Sequence, residues 1–196
     1  MKKSIPGFML IALLAGCIPS VHPLVTPEMA VSMDEIVGLY LEDEEDGDYI
    51  EFKKELSGPK NTYTMYTGEK ADELEALYTV RFAWFNKRLF ANFYPVNAEK
   101  GDCGSPDFVA MNTFARVELK ENKLVMEYSD MDELKKMFQE GKVRLKHEVY
   151  GKNGEILITA STQQLEKFVK QHGGNDVFFS IESILIPVEK QIRPGR

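Results

Sequence analysis

Cysteine is nearly absent from this chain. Cys17 and Cys103 are the two in 196 residues, which allows at most one internal disulfide and excludes a disulfide-stapled scaffold. Histidine occurs three times, as His22, His147 and His172, with no metal-ligand spacing among them or to Cys103, so neither a metal nor a cofactor is expected. No apolar run reaches the ~20 residues that a membrane-spanning helix needs. Positive charge is in deficit, with 24 Lys and Arg against 31 Asp and Glu and a net charge of −7. That balance speaks against a nucleic-acid partner, which requires a basic surface. Also missing are a Gly-X-Ser-X-Gly elbow and a glycine-rich phosphate loop, so the chain is not expected to be an enzyme. The acidic run "EDEEDGD" fails as a calcium loop. With Gly47 at its sixth position the twelfth is Lys53, where a bidentate glutamate is required.

What is present begins at the amino terminus. Lys2 and Lys3 precede a short apolar stretch, Phe8 to Leu14, and the small residues Ala15 and Gly16 lead into Cys17; this is the layout of an export signal. Leu14-Ala15-Gly16-Cys17 resembles the bacterial lipobox at every position. The resemblance implies cleavage between Gly16 and Cys17, a diacylglyceryl group on the Cys17 thiol and acylation of the new amino terminus. Two or more acyl chains anchor a protein stably, so the membrane would be a partner through Cys17. Ile18 rather than Asp follows the cysteine, which by resemblance to sorting in Gram-negative bacteria implies the outer membrane, facing the periplasm. With Cys17 acylated, Cys103 has no partner within the chain. Residues 1–16 thus read as signal peptide. Residues 17–31, with Pro19, Pro23 and Pro27 and almost no charge, read as an extended flexible tether.

Residues 32–186 read as a single domain, with 187–196 a tail. Ser32 and Glu35 have capping-box spacing and predict one helical turn. Alternating apolar residues then predict about nine strands, mostly joined by tight turns at Asp46-Gly47, Asn86-Lys87, Glu121-Asn122 and Lys152-Asn153-Gly154. Two helices are predicted late in the chain. One starts at Ser129 or Asp130 and carries the stripe Met131, Leu134, Met137 and Phe138. The other starts at Ser161 or Thr162, carries Leu165, Phe168 and Val169, and ends at Gly173.

A long antiparallel meander hides its edges most simply by closing on itself. The expected fold is therefore mainly β: one antiparallel up-and-down barrel of about eight to nine strands, with two short helices in the C-terminal third. A helical turn leading into Gly38-Leu39-Tyr40, followed by the strand series and a late helix, resembles the lipocalin-like lipoproteins of bacteria. That resemblance implies a module binding a small apolar ligand. Tyr63, Tyr78, Phe82, Trp84 and Phe93 share the inward parity of their strands and are the candidate ligand-lining residues; the same rings could equally just fill the core. Phe85, Phe90 and Tyr94 fall on the opposite parity, so a later helix or a partner must cover them. If a partner does, the chain is instead a docking protein of the envelope, an assembly accessory or an inhibitor of a basic enzyme. The long polar loop 95–107 adjoins this hairpin and could act as a lid or docking element.

Overall fold

A computed structural model of the chain describes residues 18–43, 47–96 and 111–188. A short 3-10 helix, Asp34–Ile36, leads into strands β1 (Gly38–Glu42), β2 (Tyr49–Lys54), β3 (Thr62–Gly68), β4 (Glu75–Phe85), β5 (Arg88–Pro95), β6 (Thr113–Lys120) and β7 (Lys123–Ser129). An insertion follows, made of helix α1 (Met131–Gln139), the hairpin β8 (His147–Tyr150) and β9 (Glu155–Ile158), and helix α2 (Thr162–His172). Strand β10 (Phe179–Pro187) returns to the barrel. Eight strands close in the order β1-β10-β7-β6-β5-β4-β3-β2, every pair antiparallel, while β8 and β9 form a sheet of their own. The expected antiparallel barrel is the observed fold, with eight strands in its wall.

The local chemistry accounts for this layout. Asn86 and Lys87 both have positive φ, as do Glu121 and Asn122, and two-residue turns of that kind match the twist of paired strands. Asp130 caps α1 by accepting from the amides of Asp132 and Glu133. Ser161 and Gln164 form a reciprocal capping box on α2. The expected helical turn forms at Asp34–Ile36, but its cap differs: Met33 occupies the cap position with no side-chain bond, and Ser32, one residue before it, accepts from Lys54 Nζ at 2.8 Å instead.

Two apolar cores result. All eight wall strands send side chains into the barrel, among them Tyr40, Phe52, Tyr63, Phe82, Met126 and Leu185. Met33 and Ile36 pack under them and close the lower end, where the Met33 amide donates to the Tyr63 hydroxyl at 2.7 Å. The second core lies outside the wall. Phe85 and Phe90, on the outward parity, are covered by the insertion: Phe90 packs edge-on against Phe85 and Phe179, and Phe178 links Phe179 to Phe168 of α2. Each such ring, once fully buried, contributes about 1.5–3 kcal/mol.

Residues 18–31 are not a free tether. Ile18, Leu24 and Val25 are buried in the outer core. Ser20 bridges Asn112 on one side and Ile158 on the other, and the Leu24 amide donates to Asn92 Oδ1 at 2.7 Å. Proline spacing favoured an extended chain, and the chain is extended. What composition did not reveal is that the apolar residues between the prolines match a groove between barrel and insertion.

Candidate functional site

Pairing register decides which side chains face inward. Tyr63 lies opposite Val80, Tyr78 opposite Met65, Phe82 opposite Ala91 and Phe93 opposite Thr113. All four expected rings are buried inside the barrel. They meet in edge-on pairs, Tyr63 with Phe82 at 5.6 Å and Tyr78 with Phe93 at 5.9 Å between centroids, a favoured aromatic geometry.

Trp84 departs from this group. It keeps the parity of Phe82, yet it is 55% exposed, because β4 runs beyond the lower end of the barrel. There it borders a groove of about 510 Å³ together with Lys87, Arg88 and Leu89. A bulge at the other end of β4 shifts the register between Met65 and Tyr66, and it turns Leu77 toward the barrel core. Strict alternation from Tyr78 would instead put Leu74 and Ala76 on that face. Gly16, Cys17 and Cys103 lie outside the described residues.

Sequence reasoning missed the polar groups that share this interior. Glu42 pairs with inward-facing Leu185, and its carboxylate accepts from the Ser183 hydroxyl at 2.6 Å, with both residues buried. Thr67, opposite Ile50, is buried with no hydrogen-bond partner for its hydroxyl among the described residues. Thr113 is buried opposite Phe93, whose ring also meets that of Tyr128 at 6.4 Å. Asp48 adjoins Glu42 through the backbone, its main-chain carbonyl accepting from the Glu42 amide at 3.0 Å. Burial, and secondarily the Glu69 carboxylate, push its own carboxyl above the usual range. These residues occur where β1, β3 and β7 end and β6 begins, at the upper end of the barrel. Parity in "GLYLE" could have flagged Glu42. Its partner could not have been found, because it is 141 residues away.

The chain matches no protein-family model, no curated protein and no solved structure. Chemistry must therefore be read from the barrel itself. Among the described residues no three His, Cys, Asp or Glu side chains gather as metal ligands would. His147 stacks on Phe138 at 3.8 Å and bonds to the Leu145 carbonyl. His172 lies in the last turn of α2, where a cation would suit the helix dipole, but burial holds its imidazole below the ordinary range. What the upper interior offers is an apolar, aromatic wall with one buried carboxylate and several hydroxyls. Such a set can orient the polar head of an otherwise apolar molecule.

Proposed function

We propose that this chain is a lipid-anchored lipoprotein of the bacterial envelope whose barrel binds a small apolar ligand carrying a hydroxyl or amine head. The observation that carries the ligand reading is the inward pair Glu42 and Ser183. A barrel that needed only a packed core would place apolar groups at these positions, which carry no polar desolvation cost. The pair lies in an otherwise apolar wall, near Tyr40 and Leu185. A head that donates hydrogen bonds fits that carboxylate, and the neighbouring acid Asp48 favours an amine. The apolar body would lie against Tyr78, Phe93 and Tyr128. Ligand entry requires the upper-end side chains to give way, so slow association is expected.

Against the alternative role, docking through loops or the outer face of the β4–β5 hairpin, stands the burial of Phe85 and Phe90 beneath the insertion, which covers the second of these surfaces. Lipid anchoring rests on Leu14-Ala15-Gly16-Cys17. Metabolic acyl labelling tests the anchor: label is expected on the wild type and lost in Cys17→Ser, and a labelled Cys17→Ser variant would refute it. Titration with long-chain amines, alcohols and carboxylates, followed by tyrosine fluorescence, tests the ligand class. Amines and alcohols are expected to bind and carboxylates to fail. Preference for carboxylates, or no binding at all, would refute the assignment.

A further inference from the structure

A cavity of about 350 Å³ lies within the insertion, and none of its lining residues belongs to the barrel wall. Helix α1 gives way to Gly141, whose φ of 67° turns the chain, with the Gly141 and Lys142 amides donating to the Phe138 and Met137 carbonyls. In the segment 142–146 burial then alternates. Val143 and Leu145 are buried in the outer core, while Lys142, Arg144 and Lys146 are exposed. That is the alternation an extended chain imposes, and it leaves Lys142 and Arg144 lining the cavity. The facing wall is one stripe of α2: Gln164, Lys167, Phe168, Gln171 and His172 have the spacing that puts side chains on one side of a helix. The buried Phe168 ring, 5.1 Å from that of His172 between centroids, supplies an aromatic floor.

The charge of this cavity runs against that of the chain. The whole sequence carries −7, yet the lining includes Lys142, Arg144 and Lys167 and no Asp or Glu. Lys142 is paired with Glu140 at 2.6 Å, and Glu166, next to Lys167 in sequence, is engaged by Lys170. The Arg144 and Lys167 side chains make no ion pair among the described residues. Like charges across one groove repel, so folding alone would be served better by a carboxylate at one of the two positions. We propose that this cavity binds a small phosphomonoester, its phosphate between Arg144 and Lys167 and its organic part against Phe168. Two unanswered cations match a group that carries about −1.5 to −2 at pH 7, whereas a carboxylate answers only one of them. Arg144 supplies the planar fork that pairs with phosphate oxygens, Lys167 a point charge and Gln171 an amide donor. The volume suits a small molecule. This site is separate from the barrel interior and does not rest on the ligand reading above. The same phosphate chemistry occurs on soluble phosphomonoesters and on the phosphatidic acid headgroup, and the test separates the two.

The test uses the full chain carrying Cys17→Ser, so that no acyl group brings it to a vesicle. Calorimetric titration with phenyl phosphate is expected to show saturable binding, weakened about tenfold or more by Arg144→Gln combined with Lys167→Gln. Lys170→Gln, on the same helix but outside the cavity, is expected to leave it unchanged. Benzoate, with the same ring and a single charge, is expected to bind more weakly. Arg144→Gln alone serves if the double variant melts early. Flotation with phosphatidylcholine vesicles, with and without phosphatidic acid, separates the sources. Capture by phosphatidic acid that the double variant loses, without binding of phenyl phosphate, assigns the site to a lipid headgroup. No binding in either arm, binding that the double variant leaves within about twofold of the parent, or equal affinity for benzoate would overturn the proposal.

Discussion

Asn92→Ala should release the amino-terminal segment from the barrel. Asn92 is on the outward parity of β5, between inward Ala91 and Phe93, and is 1% exposed. Its Oδ1 accepts from the Leu24 amide at 2.7 Å and its Nδ2 donates to Asn112 Oδ1 at 3.0 Å. Removing the side chain leaves a buried amide and a buried carbonyl oxygen unpaired. Each such group costs about 1–3 kcal/mol, so a loss of about 3 kcal/mol is expected. For a chain of this size that corresponds to a fall in Tm of about 6–12 °C. Thermal melting by circular dichroism measures the loss, and hydrogen exchange locates it. Amides of residues 20–31 should lose protection ahead of those in β3 and β4. A variant within ~0.5 kcal/mol of wild type, with amides 20–31 still protected, would show that the segment is held by something other than these bonds.

Further perturbations probe the covering insertion. A Cβ added at Gly173 would lie 2.8 Å from Phe90 Cζ, so Gly173→Ala should cost about 1–3 kcal/mol by overpacking; Gly173→Ala with Phe90→Leu should recover part of it in denaturant titration. Arg116 bonds Glu127 twice at 2.5 Å, the Gly173 carbonyl at 3.1 Å and Asp176 at 2.8 Å. Arg116→Met should therefore destabilise by about 2–4 kcal/mol, chiefly by stranding the half-buried Glu127, and an unchanged denaturation midpoint would contradict this. Burial lowers the His172 imidazole, so the folded state resists its protonation. Its stabilising effect is complete above the ordinary imidazole range and is lost as pH falls through the lowered value. Relative to His172→Gln, wild type should weaken between pH 7.5 and pH 5, by less than ~1 kcal/mol because the ring is only partly shielded; parallel pH profiles would refute the effect.

Much of this fold was legible in the chain because its signals are local. Alternation placed Tyr63, Tyr78, Phe82 and Phe93 inside, and Asn86-Lys87 and Glu121-Asn122 formed the turns their composition suggested. Three features were not legible, each for a physical reason. Trp84 has the right parity but the wrong height, since periodicity gives the face of a strand and not where the barrel ends. The bulge at Leu77 changes the parity near the start of β4, and nothing in "LEALYTV" marks it. Residues 18–31 carry tether-like composition, while the groove that holds them is assembled from residues as distant as Asn112 and Ile158. The site divides in the same way. Its aromatic wall follows from parity, whereas the Glu42–Ser183 pair exists only because β10 closes the barrel against β1.

The central claim is that the barrel carries a ligand held by Glu42. Native mass spectrometry of the protein exported with Cys17→Ser, compared with the same protein also carrying Glu42→Gln, tests it most directly. A discrete added mass on the first, lost or strongly reduced in the second while both remain folded, is the expected result. A bare mass for the first protein, or an adduct that Glu42→Gln leaves untouched, would contradict it.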